Sequence, residues 1–177
     1  IMTGQRHLQF AALQTITKIN PQQAYQGSSY IVSLAIYLAA SEGRATGLVG
    51  HRRLASGLTF ASIMNRSGVS GVALTNSRKV FNQAVSDPDA ELILITDTLN
   101  GPYFHELVFQ LRSDWRSKQI PIGIMIRDLP QKLRAERTFN AEDRLEILAL
   151  TDDAEVIARQ VNRLRELQKP WPMTLVE

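Results

Sequence analysis

The chain has 177 residues, enough for one domain with a small appendage, and 44% of them are hydrophobic, as in an ordinary globular protein. It contains no cysteine, which excludes a disulfide framework, thiolate catalysis and any metal or iron–sulfur site held by cysteine. Twenty basic and 17 acidic residues leave a formal charge of +3. That excess is only a weak indication of nucleic-acid binding and is typical of an arginine-rich solvated surface.

No stretch of the sequence reads as a membrane segment or a targeting signal. The longest apolar run, from Tyr30 to Ala40, is interrupted by Ser33 and is too short to span a bilayer. No secretory signal precedes the chain, so we expect a cytoplasmic protein. Because the sequence opens directly into a helical pattern at its first residues, we also expect it to be part of a larger protein.

Residues 1–43 predict a helical pair. The first helix covers about residues 6–19 and ends at Asn20-Pro21, since the residue before proline avoids the helical region. The second begins at a cap formed by Ser28 or Ser29 and is apolar nearly all round. A helix of that kind must be buried on several sides. We expect it to pack between the first helix and the domain that follows, or to wait for a partner.

From residue 44 onward, strands alternate with helices. The predicted strands are 45–50, 68–75, 92–96, 122–126 and 145–150, and the predicted helices are 52–65, 77–86, 102–115, 129–139 and 152–168. In the helix over 52–65 we expect Leu54, Leu58, Ala61 and Met64 to face inward, and we expect Asp152 or Asp153 to cap the last helix. Residues 169–177 predict an extended tail, in which Trp171 lies between two prolines, either disordered or a docking peptide.

The strand over residues 92–96 is the main basis for predicting the fold. Its four consecutive aliphatic residues leave no polar face, which is typical of a strand buried on both sides in a parallel sheet. Five such strand–helix units over residues 44–168 predict an α/β fold, a three-layer doubly wound parallel sheet with strand order 2-1-3-4-5. Ligands bind at the carboxyl ends of the strands in such sheets, which makes Thr96 and Asp97 the first candidates for function.

Three segments in one ungapped frame carry a family resemblance: residues 91–96 (Glu-Leu-Ile-Leu-Ile-Thr), 111–114 (Leu-Arg-Ser-Asp) and 121–126 (Pro-Ile-Gly-Ile-Met-Ile). They are similar to the Asp-Leu-Val-Leu-Leu-Asp, Leu-Arg-x-Asp and Pro-Val-Ile-x-Leu-Thr segments of the receiver domain of two-component response regulators. The resemblance implies a flavodoxin-like fold and a signalling ancestry. The helical pair, through Ala11-Ala12 and Asn20-Pro21, resembles the end of a HEAT-type repeat array.

The resemblance also implies where reactive residues would lie. In the family, an acidic pair after the first strand and an aspartate after the third hold a divalent cation, and a hydroxyl and a lysine bind the phosphoryl oxygens. The matching positions of this chain are Gly50, His51, Thr96 (with Asp97 one residue beyond), Ile126 and Ala149. At most one carboxylate remains for magnesium. We therefore expect no metal, no cofactor and no enzymatic activity: a degenerate pseudo-receiver that serves as a signalling or protein-interaction module.

Two residue groups at the strand ends keep alternative interpretations. Asp97 is either a shifted phosphoacceptor or, as we prefer, a cap for the following turn. His51 and Arg52 either bind an anion at a helix start or form a solvated basic helix start. Anion binding by His51 and Arg52 would make the chain a small-molecule or nucleotide binding domain, which is the alternative function.

A basic face is predicted near one edge of the sheet. Its members are Lys132, Arg134, Arg137, Arg144, Arg159 and Arg163. Because receivers commonly use this face, the resemblance implies a protein partner or a homodimer there. The alternative is a salt-bridged surface, with Glu155 and Arg159 at favourable i, i+4 spacing. Nucleic-acid binding at this edge is the weakest hypothesis, because no aromatic residues alternate with the arginines.

Overall fold

The structure, a computed structural model, describes residues 4–167, with side chains from residue 9 onward, so the predicted tail lies outside the described residues. The helices are α1 (Gly4–Ile19), α2 (Ser28–Ala39), α3 (Leu54–Arg66), α4 (Ser77–Ser86), α5 (Phe104–Ser113), α6 (Leu129–Thr138) and α7 (Ala154–Glu166), and the strands are β1 (Thr46–Gly50), β2 (Ser70–Leu74), β3 (Ala90–Thr96), β4 (Ile122–Ile126) and β5 (Leu145–Ala149). Among the described helices, none is long and apolar enough to cross a bilayer.

The five strands form one parallel sheet in the order β2-β1-β3-β4-β5, which confirms the predicted fold class. The central strand β3 alternates between two cores. Ile93 and Ile95 pack with residues of α4, α5 and α6, whereas Leu92 and Leu94 pack with residues of α3 and α7. All four are fully buried. Each contributes about 1.5–3 kcal/mol of burial free energy, which explains why this strand reads as continuously apolar.

Helix α3 is rotated relative to its predicted orientation. Leu54 and Leu58 are 52% and 55% exposed, so their expected inward position is wrong. Ala61 and Met64 are buried as expected, and they share the buried face with Gly57, Phe60 and Ile63. Gly57 explains the rotation, because its missing side chain lets the helix approach β2. A Cβ built at residue 57 would lie 3.3 Å from the Cβ of Ala73.

Helix α2 is less buried than its sequence requires. Only Tyr37 and Leu38 are buried, near its carboxyl end, while Tyr30, Val32 and Ile36 are 65–70% exposed. The described residues therefore do not cover this helix on several sides, which contradicts the first expectation and leaves the second, that the helix waits for a partner, as a prediction. The predicted serine cap is wrong as well: the N-cap is Gly27, in the left-handed region at φ 89°, with no side-chain cap bond.

The turn before β3 fastens the helical pair to the sheet. The Asp89 carboxylate accepts hydrogen bonds from Ser41 Oγ at 2.6 Å, from the Glu42 N–H at 2.6 Å and from the Gly43 N–H at 3.1 Å. Above this clamp, the Tyr37 ring packs edge-on against Trp115, 5.5 Å between centroids. The amino end of the sheet therefore holds α2 by both polar and aromatic contacts.

Candidate functional site

The predicted strand-end positions meet at one edge of the sheet. Gly50, Thr96 and Ile126 end the neighbouring strands β1, β3 and β4. Gly50 pairs with Ile95, and Ile126 pairs with the exposed Ala149 at the end of β5. His51 and Asp97 each follow directly after their strand. The fold thus assembles these six residues into one region, the carboxyl edge.

Aliphatic side chains fill the space beside Gly50. A Cβ at this position would lie 2.8 Å from Ile95 Cγ2, 2.9 Å from Leu99 Cδ2 and 3.0 Å from a Val80 methyl group. Leu99 is itself buried and belongs to the hydrophobic core. Because such separations are well below ordinary carbon contact distances, a larger side chain at residue 50 requires its neighbours to move.

The hydroxyl of Thr96 faces the backbone rather than solvent. Thr96 is fully buried, and its Oγ1 donates a long hydrogen bond of 3.4 Å to the Gly50 carbonyl. Ile126, at the next strand end, is 2% exposed and contributes only hydrocarbon. These two positions therefore extend the core up to the sheet edge.

Asp97 is the acidic residue that follows β3. Its N–H donates to the Met125 carbonyl at 3.1 Å, which continues the sheet by one residue. Its Oδ1 is buried and has no hydrogen-bond partner among the described residues. The following turn closes instead through the Leu99 N–H and the Thr96 carbonyl, at 3.2 Å. Within residues 4–167 we find no capping bond from this carboxylate.

No cluster of three or more histidine or acidic residues that could hold a metal ion occurs among the described residues. The edge does bring charges together around His51, whose ring lies near Arg53, Arg127 and Asp152. Burial lowers the pKa of His51 below its ordinary value, and the two arginines lower it further, against the opposing backbone hydrogen bond to Arg53 and the charge of Asp152. The imidazole is therefore largely neutral at neutral pH.

His51 also supports the start of α3. Its Nδ1 lies 2.9 Å from the Arg53 nitrogen and 3.1 Å from the Arg53 carbonyl oxygen. In one tautomer of the neutral ring it accepts that N–H, and in the other it donates to that carbonyl, while the ring centroid is 5.9 Å from Phe60. The helix itself has no acidic residue in its first turn and no side-chain cap from Arg53. Arg52 is exposed beside this helix start. The local positive charge thus comes from arginine and not from the histidine.

The predicted basic face is divided by the structure. Helices α6 and α7 lie on opposite faces of the sheet, flanking the edge strand β5. Three of the six basic residues have partners within the protein. Lys132 forms an ion pair with Glu136 at 3.8 Å, Arg163 forms one with Glu146 at 2.7 Å, and Arg144 donates to the Gln119 carbonyl at 3.1 Å. Arg134, Arg137 and Arg159 are exposed and have no ion pair within the described residues, so the expected Glu155–Arg159 pair does not form there.

Next to that face, a cavity of about 550 Å³ opens between α5 and α6. Its lining includes Phe104, His105, Asp128 and Arg134. The His105 ring stacks on Phe104, 3.9 Å between centroids, and on Phe139, 5.3 Å between centroids. Nothing in the sequence places His105 with Arg134, because the two residues line one cavity only when α5 and α6 pack together.

Arg112 has a structural role that its place in the sequence does not reveal beyond the family resemblance. Its guanidinium donates to the carbonyls of Lys118, Ile120 and Arg144 at 2.9–3.1 Å and pairs with Glu142 at 3.2 Å. Burial lowers the pKa of Arg112, which the hydrogen bond and charge of Glu142 oppose. The Leu-Arg-x-Asp segment was the sequence feature that pointed to Arg112. In the structure this arginine connects α5 to the loops that precede β4 and β5, at the end of the sheet where the strands begin, the amino edge.

No protein-family model matches the sequence, and no curated protein matches it. Solved structures do match the fold. A response regulator receiver protein from Sinorhizobium medicae aligns with a TM-score of 0.60 at 15% identity, over 73% of this chain and 100% of that one. The chemotaxis response regulator CheY4 of Vibrio cholerae aligns with 0.59 at 15%, over 68% and 98%.

A third solved structure is the receiver domain of the sensor histidine kinase PA1611 from Pseudomonas aeruginosa, with magnesium coordinated in its active-site cleft. It aligns with a TM-score of 0.58 at 13% identity, over 70% of this chain and 98% of that one. At such identities the likeness concerns the backbone alone. The α/β part of this chain therefore has the flavodoxin-like fold of response-regulator receiver domains.

Proposed function

We propose that this chain is a pseudo-receiver: a non-enzymatic signalling module, not phosphorylated, that acts by binding another protein. In a larger parent protein, the helical pair would be the end of a HEAT-like array. The observation that carries the proposal is the aliphatic packing of Ile95, Leu99 and Val80 around Gly50. A magnesium-dependent phosphoacceptor site needs several carboxylate oxygens at this edge, and hydrocarbon occupies the position beside β1.

The neighbouring residues support the same proposal. Asp97 has no second carboxylate from β1 with which to share a cation, and the buried Thr96 hydroxyl is turned toward the Gly50 carbonyl. Ile126 offers no hydroxyl and Ala149 no ammonium group to a phosphoryl oxygen. A phosphoryl group transferred to Asp97 would therefore lack the partners that stabilise the negative charge developing during phosphoryl transfer.

The test is phosphorylation of the full chain. Incubation with acetyl phosphate, or with beryllofluoride, in the presence of magnesium should give no mass increase and no change in amide exchange. A receiver domain with a complete acidic set is the positive control. A phosphoryl adduct that disappears in Asp97→Asn would overturn the proposal, since it would identify Asp97 as a working phosphoacceptor.

The basic face supports a protein partner with an acidic surface. Arg134, Arg137 and Arg159 are exposed and have no described ion pair, so their charge is free to attract a partner electrostatically. Reversing the two arginines on α6, Arg134 and Arg137, to glutamate should abolish capture of that partner, since Arg159 lies on α7 at the opposite face of the sheet. A variant reversed at Arg78 and Lys79, two exposed cations on α4, is the matched control and should retain it. Equal loss in both variants would reject this face.

A second candidate is anion binding at the carboxyl edge. It is favoured by the uncapped start of α3, next to which Arg52, Arg53 and Arg127 contribute positive charge. Because His51 is largely neutral, the arginines would hold the anion. A thermal-shift screen with nucleotides and inorganic phosphate tests this candidate, with Arg52→Ala as the comparison. A uniform absence of stabilisation would exclude it.

A further inference from the structure

The cavity between α5 and α6 has two walls of different chemistry. One wall is aromatic and is formed by the buried Phe104 ring and the exposed His105 ring. The other is the face of α6 that turns toward α5, whose residues follow helical spacing: Gln131, Arg134, Ala135 and Thr138. The volume of about 550 Å³ is within the ordinary range for small-molecule sites, roughly 300–1,000 Å³. The space therefore has room for a ligand that contains a ring.

Helix α6 turns polar residues toward its neighbour and leucines toward solvent. Leu129 and Leu133 are 64% and 47% exposed, whereas Ala135, which lines the cavity, is 1% exposed. A helix that only completed the core would direct its leucines inward. Conflicts of this kind between the local pattern and the packing are expected at functional sites. Core packing therefore does not explain the polar wall.

The free groups on the α6 wall are hydrogen-bond donors. Among the described residues, the Arg134 guanidinium has no ion pair and the Gln131 amide has no hydrogen bond. The Thr138 hydroxyl already donates to the Arg134 carbonyl at 3.0 Å. A wall of this kind selects a ligand that accepts hydrogen bonds, and a guanidinium binds a carboxylate through two parallel bonds.

Asp128 limits the charge that the ligand can carry. Its carboxylate accepts the Gln131 N–H at 3.1 Å, which holds it at the start of α6. Asp128 lies six residues before Arg134, about 9 Å along the helix axis at 1.5 Å per residue. A second acidic group on the ligand would be repelled at that end of the cavity. The charges therefore admit one carboxylate, at the Arg134 end.

The aromatic wall selects the rest of the ligand. The His105 ring stacks on Phe104 with 3.9 Å between centroids, and on Phe139 with 5.3 Å between centroids. These stacked rings give α5 a flat surface beside the cavity. Another aromatic ring packs on such a surface in an offset or edge-on arrangement, which a puckered aliphatic ring cannot reproduce.

We propose that the cavity between α5 and α6 binds a small planar aromatic monocarboxylate. Arg134 and Gln131 hold the carboxylate, and the ring packs against His105 and Phe104. This site goes beyond the proposed function, because it requires no phosphoryl chemistry and no protein partner. It is also separate from the start of α3, where the second candidate function places an anion.

Amide NMR of the full chain, titrated with benzoate into the millimolar range, is the first test. Saturable shifts should occur at residues 104–105 and 128–139. Benzamide keeps the ring and loses the charge, whereas cyclohexanecarboxylate keeps the charge and loses the flat ring. Each should bind at least about tenfold more weakly than benzoate.

Variants on α6 give the second test. Arg134→Gln should weaken benzoate binding by at least about tenfold. The matched control is Arg137→Gln, which removes an exposed cation from the same helix and the same basic face but outside the cavity, and should leave binding unchanged. Thr138→Trp fills the cavity while Arg134 remains, and should abolish binding with amide shifts outside the cavity unchanged.

Four results would overturn the proposal. They are the absence of saturable shifts at the cavity residues, equal binding of benzoate and benzamide, an equal loss of binding in Arg134→Gln and Arg137→Gln, and shifts centred on residues 51–54, which would place the acid at the start of α3. The phosphorylation assay is independent of all four, so a failure of this site and a failure of the proposed function are distinguishable.

Discussion

The two edges of the sheet use polar residues in opposite ways. At the carboxyl edge, where this fold normally carries chemistry, aliphatic groups surround Gly50 and the hydroxyl of Thr96 is buried. At the amino edge, Asp89 and Arg112 make dense hydrogen bonds to loop backbone. The polar side chains of Asp89 and Arg112 therefore connect elements at the amino edge, whereas aliphatic side chains fill the space beside Gly50 at the carboxyl edge.

The largest expected effect comes from breaking the amino edge at Arg112. Arg112→Ala should destabilise the protein by about 3–5 kcal/mol, because it leaves three carbonyls and Glu142 without their charged donor. Arg112→Lys is the matched control: it keeps the charge but cannot reach all the acceptors, and should cost roughly half as much. Urea unfolding measures both. Equal stability of the alanine variant and the wild type would show that this connection is not structural.

A restored acid at the carboxyl edge should be the next most costly change. Gly50→Asp should destabilise by about 2–3 kcal/mol, because the new side chain must displace Leu99 and Ile95 and bury a carboxylate. Shortening a neighbour, in Gly50→Asp/Leu99→Ala, should cost less than the sum of the single changes. Strict additivity in this cycle would mean that Leu99 does not restrict residue 50.

The clamp between the helical pair and the sheet should give a smaller, local effect. Asp89→Ala removes the acceptor of three hydrogen bonds and should destabilise the junction by about 1–2 kcal/mol, whereas Asp89→Asn keeps one oxygen and should retain part of that stability. Amide exchange at residues 41–43 is the direct measurement. Faster exchange there with unchanged exchange in β4 is expected. Uniformly faster exchange would indicate global destabilisation instead.

The smallest expected effect is the pH dependence from His51. Its folded pKa is lowered, so the unfolded chain binds a proton more readily than the folded one. The contribution is fully present above the unfolded pKa of about 6.5 and is lost as the pH falls toward the folded pKa. His51→Gln should reduce the loss of stability between about pH 7.5 and pH 5.5. An unchanged pH profile would mean that His51 is not the responsible group.

The architecture was predictable because β3 and its helices follow clear periodicity. Leu92 to Ile95 indicated a doubly covered strand. The strand order was predicted separately, as the common one for five strand–helix units. The orientation of α3 was not predictable, since Leu54 and Leu58 fit a helical stripe as well as Phe60 and Ala61 do. The choice depended on Gly57 lying against Ala73, a contact between residues on different elements.

The candidate site was likewise only partly predictable from the sequence. The sequence located Gly50, Thr96 and Ile126 at strand ends, and the sheet register brings these ends together. It did not indicate that Leu99 covers Gly50, or that His51 Nδ1 lies within hydrogen-bond distance of the Arg53 backbone. The basic residues could be identified from the sequence. Only the packing of α6, β5 and α7 determines which of them have partners and which are exposed without an ion pair among the described residues.

The sequence by itself determined the alternation of strands and helices, the absence of cysteine chemistry and the absence of acidic residues directly after β1, because each of these is a property of residue type and spacing. Tertiary structure alone decided that hydrocarbon fills the space beside Gly50, that Arg112 and Asp89 connect elements at the amino edge, and that one face of α2 is left exposed by the described residues. These features depend on which side chains distant segments bring into contact, and local periodicity carries no information about that.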